Sequence, residues 1–234
     1  MNANVLPRST LVGPAAREAA RPEAVTEVRE WDPKRFASEQ IRGLVQRVFF
    51  SNTGQPVRQV VFSAAGPGID ASAICDRVGQ ALALETSAEI AIVSRNPPGI
   101  ELDQGQAYPW PSGGNSIKSR SWQIADNLWR VPECGLRELC PELGTERCWL
   151  WGLAELRNDF EYVVIDGPAA GVSSESALLA QLTDGIILVL AAHVTRKATA
   201  WRIKETLEST QCRILGTVLS ERTFPVPAGI YCRL

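Results

Sequence analysis

Along most of the chain, runs that are apolar at nearly every position alternate with runs whose apolar residues recur at helical spacing. Val57 to Phe62, Glu89 to Ser94, Tyr162 to Pro168 and Ile186 to Ala191 are of the first kind. Without an in/out alternation, such runs suit strands covered on both faces, as in a parallel sheet. Asn127 to Pro132 and Ile214 to Leu219 read as a third short strand and a last strand. Helical spacing is seen in Phe36, Ile41, Leu44, Val48 and Phe49, then in Ile74, Val78, Ala81 and Leu82, and again in Trp149, Leu150, Leu153 and Leu156. Asp32-Pro33 is a helix-start signal, with Asp32 as N-cap and Pro33 at the first helical position. Ser174 to Leu182, with Ser173 or Ser174 as cap, and Thr195 to Thr210 complete the helices. The alternation predicts an α/β fold: a doubly wound, mostly parallel sheet with helices on both faces, in three layers. Right-handed crossovers bring the C-terminal ends of the strands to one edge.

The chain of 234 residues is long enough for one such domain with tails. Residues 1–30, rich in Ala, Pro, Arg and Glu without an apolar period, read as a flexible arm or a docking segment for a partner. Residues 31–220 form the α/β domain and 221–234 an irregular tail. Arg95 to Asn115, dense in Pro and Gly, reads as a long surface loop that Trp110 and Trp122 pack down.

A net charge of −2 gives no nucleic-acid footprint. The six cysteines (Cys75, Cys134, Cys140, Cys148, Cys212 and Cys232) contain no C-x-x-C pair, which argues against zinc and for reduced packing thiols. No apolar run approaches the roughly 20 residues that span a bilayer, and the first ten residues lack a secretory hydrophobic region. The expectation is a cytoplasmic protein that meets a membrane only through a partner, as a peripheral component at the inner membrane.

The chemistry concentrates in the turn after the first strand. Val60 to Ala65 leads into Gly66-Pro67-Gly68-Ile69-Asp70-Ala71-Ser72 and a helix from Ala73 to Leu84. Strand, glycine-containing turn and helix are the frame of a P-loop, in which backbone N–H groups and a helix N-terminus hold phosphates. The frame ends in Asp-Ala-Ser where a P-loop has Gly-Lys-Ser/Thr. The lysine position is Ala71, and Asp70 brings a carboxylate near the phosphate position. Two like unit charges about 4 Å apart repel by about 4 kcal/mol at an effective dielectric of roughly 20. An ordinary strand–turn–helix with a Pro-Gly turn fits the same residues.

With Asp166 placed at the end of its strand, the chain resembles the kinase domains of bacterial tyrosine kinases (BY-kinases) of capsule and exopolysaccharide systems, within the ParA/MinD-like P-loop ATPases. The pieces are Glu39-x-x-Arg42, the loop with Pro67-Gly68 and Ser72, Val163-Val164-Ile165-Asp166-Gly167-Pro168 followed by Glu175, Asp184 to Val189 with Thr195-Arg196, and Gly216 to Leu219. The resemblance implies a site for Mg-ATP at Gly66, Pro67, Gly68, Asp70, Ala71, Ser72 and Arg95, with Ser72 and Asp166 as metal ligands and Asp166 as the catalytic carboxylate of an active member. The chain departs from the family pattern at Asp70 and Ala71. It also departs at Ser94-Arg95 where an aspartate is expected, at Val45 for a second arginine, at Ser220 for a carboxamide, and in a tail with one tyrosine, Tyr231.

Phosphoryl transfer rests on positioning and on positive charge at the phosphates. The departures therefore point to a degenerate P-loop protein, a pseudo-kinase or pseudo-ATPase without a firm cofactor. It would act through a chain-length regulator of a polysaccharide export system or through an active homologue, with homo-oligomerisation a further expectation. Two rivals stand beside it: a divergent active ATP-dependent protein-tyrosine kinase, and a ParA/MinD-like positioning or secretion scaffold. Single residues keep two readings as well. Asp166 is a metal ligand or a turn cap, and Ser72 a metal ligand or a helix start. Arg95 meets a phosphate or pairs with Asp70. Glu39 and Arg42 form an oligomer contact or a solvated face. Trp149, Trp151 and Trp201 read as core or interface anchors, and His193, the one histidine, has no nucleophile beside it in sequence.

Overall fold

Asp32 opens the first helix as its residue types require. Its carboxylate accepts from the Lys34 N–H at 2.9 Å, and Pro33 follows at the first helical position. In this computed structural model the described residues are 32–51, 54–95, 116–133, 136 and 144–221, all within one unit, Asp32–Val226. The arm at 1–30, the loop from 96 to 115, the tail from 222 onward with Tyr231, and Cys134, Cys140 and Cys232 lie outside them.

In chain order the elements are α1 (Pro33–Phe49), β1 (Gln59–Ala64), α2 (Ser72–Glu85), β2 (Ile90–Ser94), a short 3-10 turn (Lys118–Arg120), β3 (Trp122–Ala125), β4 (Leu128–Pro132), α3 (Thr145–Asp159), β5 (Tyr162–Gly167), α4 (Glu175–Leu182), β6 (Gly185–Ala191), α5 (Lys197–Ser209) and β7 (Ile214–Ser220). The seven strands form one sheet in the order β3-β4-β2-β5-β1-β6-β7. Every pairing is parallel except β3 with β4. This is the doubly wound, three-layer α/β architecture expected from the pattern of the chain.

Period-two alternation splits the core between the two faces. Val60 and Phe62 of β1 join Ile41, Val45, Val78 and Leu82 under α1 and α2. Val61 joins Trp149, Leu153, Leu156 and Ile203 under α3, α4 and α5. Each fully buried large apolar side chain contributes about 1.5–3 kcal/mol. Val45 is fully buried, so the position where the resemblance has an arginine is here a packing position. Trp149 is a core residue, whereas Trp151 and Trp201 stay partly exposed. Cys75, Cys148 and Cys212 are buried free thiols.

Most strand bounds differ from the sequence reading by one residue; β1 and β3 differ by more. β1 begins at Gln59 rather than Val57 and runs two residues further, to Ala64. Asp184 sets that start, because its carboxylate accepts the N–H groups of both Arg58 and Gln59 at 2.7 Å and also receives Arg157. β3 has no counterpart in the sequence reading. Three of its four residues are exposed, so its burial pattern carries no core signal, and pairing with β4 alone defines it.

The chain crosses over β5 between β1 and β2, and over β1 between β5 and β6. The connections leaving β1 and β5 thus run in opposite directions. A crevice opens between their C-terminal ends, the usual ligand position in such sheets.

Candidate functional site

The crevice is built on the turn Ala65–Ala71. Ala65 donates to the Val189 carbonyl at 2.9 Å, which pins the turn to β6. Gly68 has φ +80, a conformation that costs glycine little and other residues more. The Asp70 carboxylate accepts from the Ala73 N–H at 3.0 Å and so caps the first turn of α2. Ala71 is 5% exposed and packs in the α1/α2 core.

Ser72 and Asp166 meet across the crevice, where the Ser72 hydroxyl donates directly to the Asp166 carboxylate. The two residues left of the Mg²⁺ set are therefore neighbours in space and bonded to each other. Gly66, Pro67 and Gly68 lie in the turn. Ser63 donates to the Pro168 carbonyl at 2.5 Å, and Ala170 to the Ala64 carbonyl at 2.9 Å, so the loop after β5 is held against the end of β1.

Arg95 follows β2 and pairs with Glu133 at 3.1 Å, with Glu175 at 4.0 Å. The Asp70–Arg95 pair considered from the sequence is not formed. Arg95 takes the two glutamates at the neighbouring element ends instead, because β4 and α4 bring them beside β2. Glu175 also accepts from the Trp149 indole at 2.9 Å. Sequence reasoning missed Glu133. Its signal was its place directly after a recognised strand, the same strand-end rule that singled out Arg95 and Asp166. Ser94, where the resemblance has an aspartate, is 3% exposed, and its hydroxyl has no partner among the described residues. His193 lies in the turn after β6 with φ 65. Arg42 pairs with Glu85 at 2.5 Å, tying α1 to α2, while Glu39 stays exposed.

The electrostatics follow from this crowding. Burial pushes the Asp166 carboxyl above its usual range, against the opposing pull of the Ser72 hydroxyl and Arg95, and the charges of Asp70 and Glu133 add to the rise. Burial also pushes up the Cys75 thiol beneath the loop, helped by the charges of Asp166, Asp76 and Asp70.

A pH dependence follows for Asp166. Its pKa in the folded protein lies above that in the unfolded chain, so its stability contribution is complete below the unfolded value and is lost as the pH rises through the folded one. Asp166→Asn keeps an oxygen to accept from Ser72 and removes that loss. We predict that the variant melts above the native protein near neutral pH and that the two curves converge below about pH 4. Thermal melts across the acid range test this, and a variant that melts lower near neutral pH would contradict it.

No protein-family model matches the chain. The tyrosine-protein kinase CpsD of Streptococcus agalactiae serotype III is 32% identical over 66 residues, covering 28% of this chain and 28% of that protein. CpsD of Streptococcus pneumoniae serotype 4 is 35% identical over 66 residues, 28% of this chain and 29% of that protein. The chain thus spans 28–29% of the length of these curated relatives. Among solved structures, the VpsO kinase domain superposes with a TM-score of 0.60 at 19% identity, covering 81% of this chain and 98% of that one. The kinase domain of the Escherichia coli tyrosine kinase ETK gives 0.59 at 12%, covering 82% and 79%. MinD of Aquifex aeolicus gives 0.51 at 18%, covering 70% and 69%. The fold is that of the P-loop NTPase-like α/β proteins. Within them, the similarity runs to the bacterial tyrosine-kinase domains and the ParA/MinD-like ATPases, as the motifs suggested.

Proposed function

We propose that the chain is a degenerate member of this group, a pseudo-kinase or pseudo-ATPase that acts through protein partners in polysaccharide biosynthesis or export. The observation that carries the reading is the Asp70 carboxylate at the N-terminus of α2, bonded to the Ala73 N–H. In a P-loop that helix end offers N–H groups and positive dipole to a phosphate. Here it already holds a fixed anion.

The surroundings add to the mismatch with Mg-ATP. Asp166, Glu133 and Glu175 share the crevice, and its cation Arg95 is already paired with two of them. Ala71 supplies no cation where the phosphates would lie. These residues do not fit a magnesium nucleotide. No helix among the described residues is long and apolar enough to cross a membrane. The partner in this reading is a chain-length regulator or an active homologue, and membrane contact goes through it.

The test is calorimetric titration of the native protein with Mg-ATP and Mg-ADP. Silence into the millimolar range is the expected outcome. Binding in the micromolar range, about −8 kcal/mol, would overturn the reading. The similarity to CpsD favours one rival, a divergent active tyrosine kinase. That rival predicts ATP-dependent phosphate on Tyr231, detectable by mass spectrometry.

A further inference from the structure

We infer that β7 is a docking edge for an extended, acidic segment of a partner protein, one whose side chains alternate between carboxylate and apolar. Among the described residues the strand ends the sheet. The Ser220 carbonyl points inward, accepting from Ala192 at 2.9 Å. Since N–H and C=O of one strand residue point the same way and alternate along the strand, Thr217 and Leu219 turn theirs outward. Both are exposed, Leu219 at 57%. The seven residues Ile214 to Ser220 carry no charge and no proline. These are devices by which edges are commonly guarded.

The two sides of this edge differ, and the difference selects the occupant. On the α5 side, two hollows of about 430 and 250 Å³ flank β7. Lys197 lines both, Trp201 and Lys204, which pairs with Glu208 at 2.7 Å, line the smaller, and no carboxylate among the described residues lines either. On the α1 side, a hollow of about 720 Å³ lies along Thr217 to Glu221; Phe36, Ile41 and Leu44 form its apolar wall, and its charges balance, Arg47 and Arg77 against Asp70 and Glu221. A strand added to β7 presents alternate side chains to the two sides. Carboxylates would meet Lys197 and Lys204, and apolar groups would meet Phe36 and Leu44. Main-chain bonds to Thr217 and Leu219 would supply the register, as in other strand-addition complexes. A second copy is disfavoured, because β7 against β7 sets two lysine-bearing sides next to each other.

The inference rests on the reading that the chain works through protein contacts, not on the silence of the loop, so the two fail separately. A protein that binds Mg-ATP can still dock a strand, and a silent one can fail to. The probe is a short fluorescent peptide of alternating glutamate and valine, with a lysine–valine peptide as control. Its binding to the full chain is read by anisotropy, with hydrogen exchange read at β7. The glutamate peptide is expected to bind about tenfold or more tightly than the control and to slow exchange at Thr217 and Leu219. Lys197→Glu is expected to weaken it by about tenfold. Thr217→Pro, which removes an outward N–H while leaving the inward ones, is expected to abolish it. Lys197→Glu carries the test by itself if the proline variant melts early. Equal affinity for both peptides, no binding of either, or indifference to Lys197→Glu would overturn the inference. So would a native dimer, seen by light scattering, that Thr217→Pro splits.

Discussion

Asp70→Gly combined with Ala71→Lys is expected to turn the loop into a site that binds Mg-ATP with a dissociation constant in the micromolar range, about −8 kcal/mol. The first change removes the carboxylate that caps α2 and frees the Ala73 N–H. The second places a cation at the end of the turn. Ala71 is nearly buried, so the lysine stem would run along the core edge with its ammonium led out to the crevice. Loss of the cap costs about 1 kcal/mol of stability, a fall of about 2–4 °C in Tm for a chain of this size. Each electrostatic gain at a phosphate is worth on the order of a few kcal/mol, enough to separate silence from a clear isotherm. Calorimetry of the folded variant beside the native protein decides it. A variant that is folded and still silent would mean that the loop is not the reason for silence. Attention would then move to Arg95 and its glutamates.

Gly185→Ala is expected to lower Tm by about 10 °C, corresponding to a loss of about 4 kcal/mol. Gly185 opens β6 with φ +152, a region that side-chain-bearing residues avoid. A Cβ there would lie 2.6 Å from the Arg213 carbonyl oxygen and 2.7 Å from Leu215 Cγ. The oxygen belongs to the backbone and already accepts from Ile186 at 2.9 Å, so it cannot move aside without breaking the β6–β7 register. Strain and collision add, because one arises from the residue's own dihedral and the other from its neighbour. A differential scan reads the effect. A loss under about 1 kcal/mol would show that the start of β7 can shift freely.

Most of the scaffold was legible in the sequence. Continuous apolar runs marked the buried parallel strands, and 3.6-residue spacing marked the helices. Asp32-Pro33 marked the start of α1, and the strand-end rule marked Ser72, Arg95 and Asp166. These signals are local and repeat over many residues, so burial imprints them directly on composition. β3 was not legible, because three of its four residues face solvent. Nor was the two-residue shift of β1, set by Asp184 from 125 residues away.

The sequence by itself determined the α/β class, the position of the loop and the charge that Asp70 puts in it, since each depends on residues adjacent in the chain. Only the tertiary structure decided what those residues touch. It bonded Ser72 to Asp166, 94 positions apart, and gave Arg95 to Glu133 rather than to Asp70. It buried Val45 between α1 and α2 and left the outer edge of β7 uncovered among the described residues. The physical reason is that ion pairs and edge exposure depend on which strand ends become neighbours. That order is set by the crossovers of the whole sheet, which no short window of sequence contains.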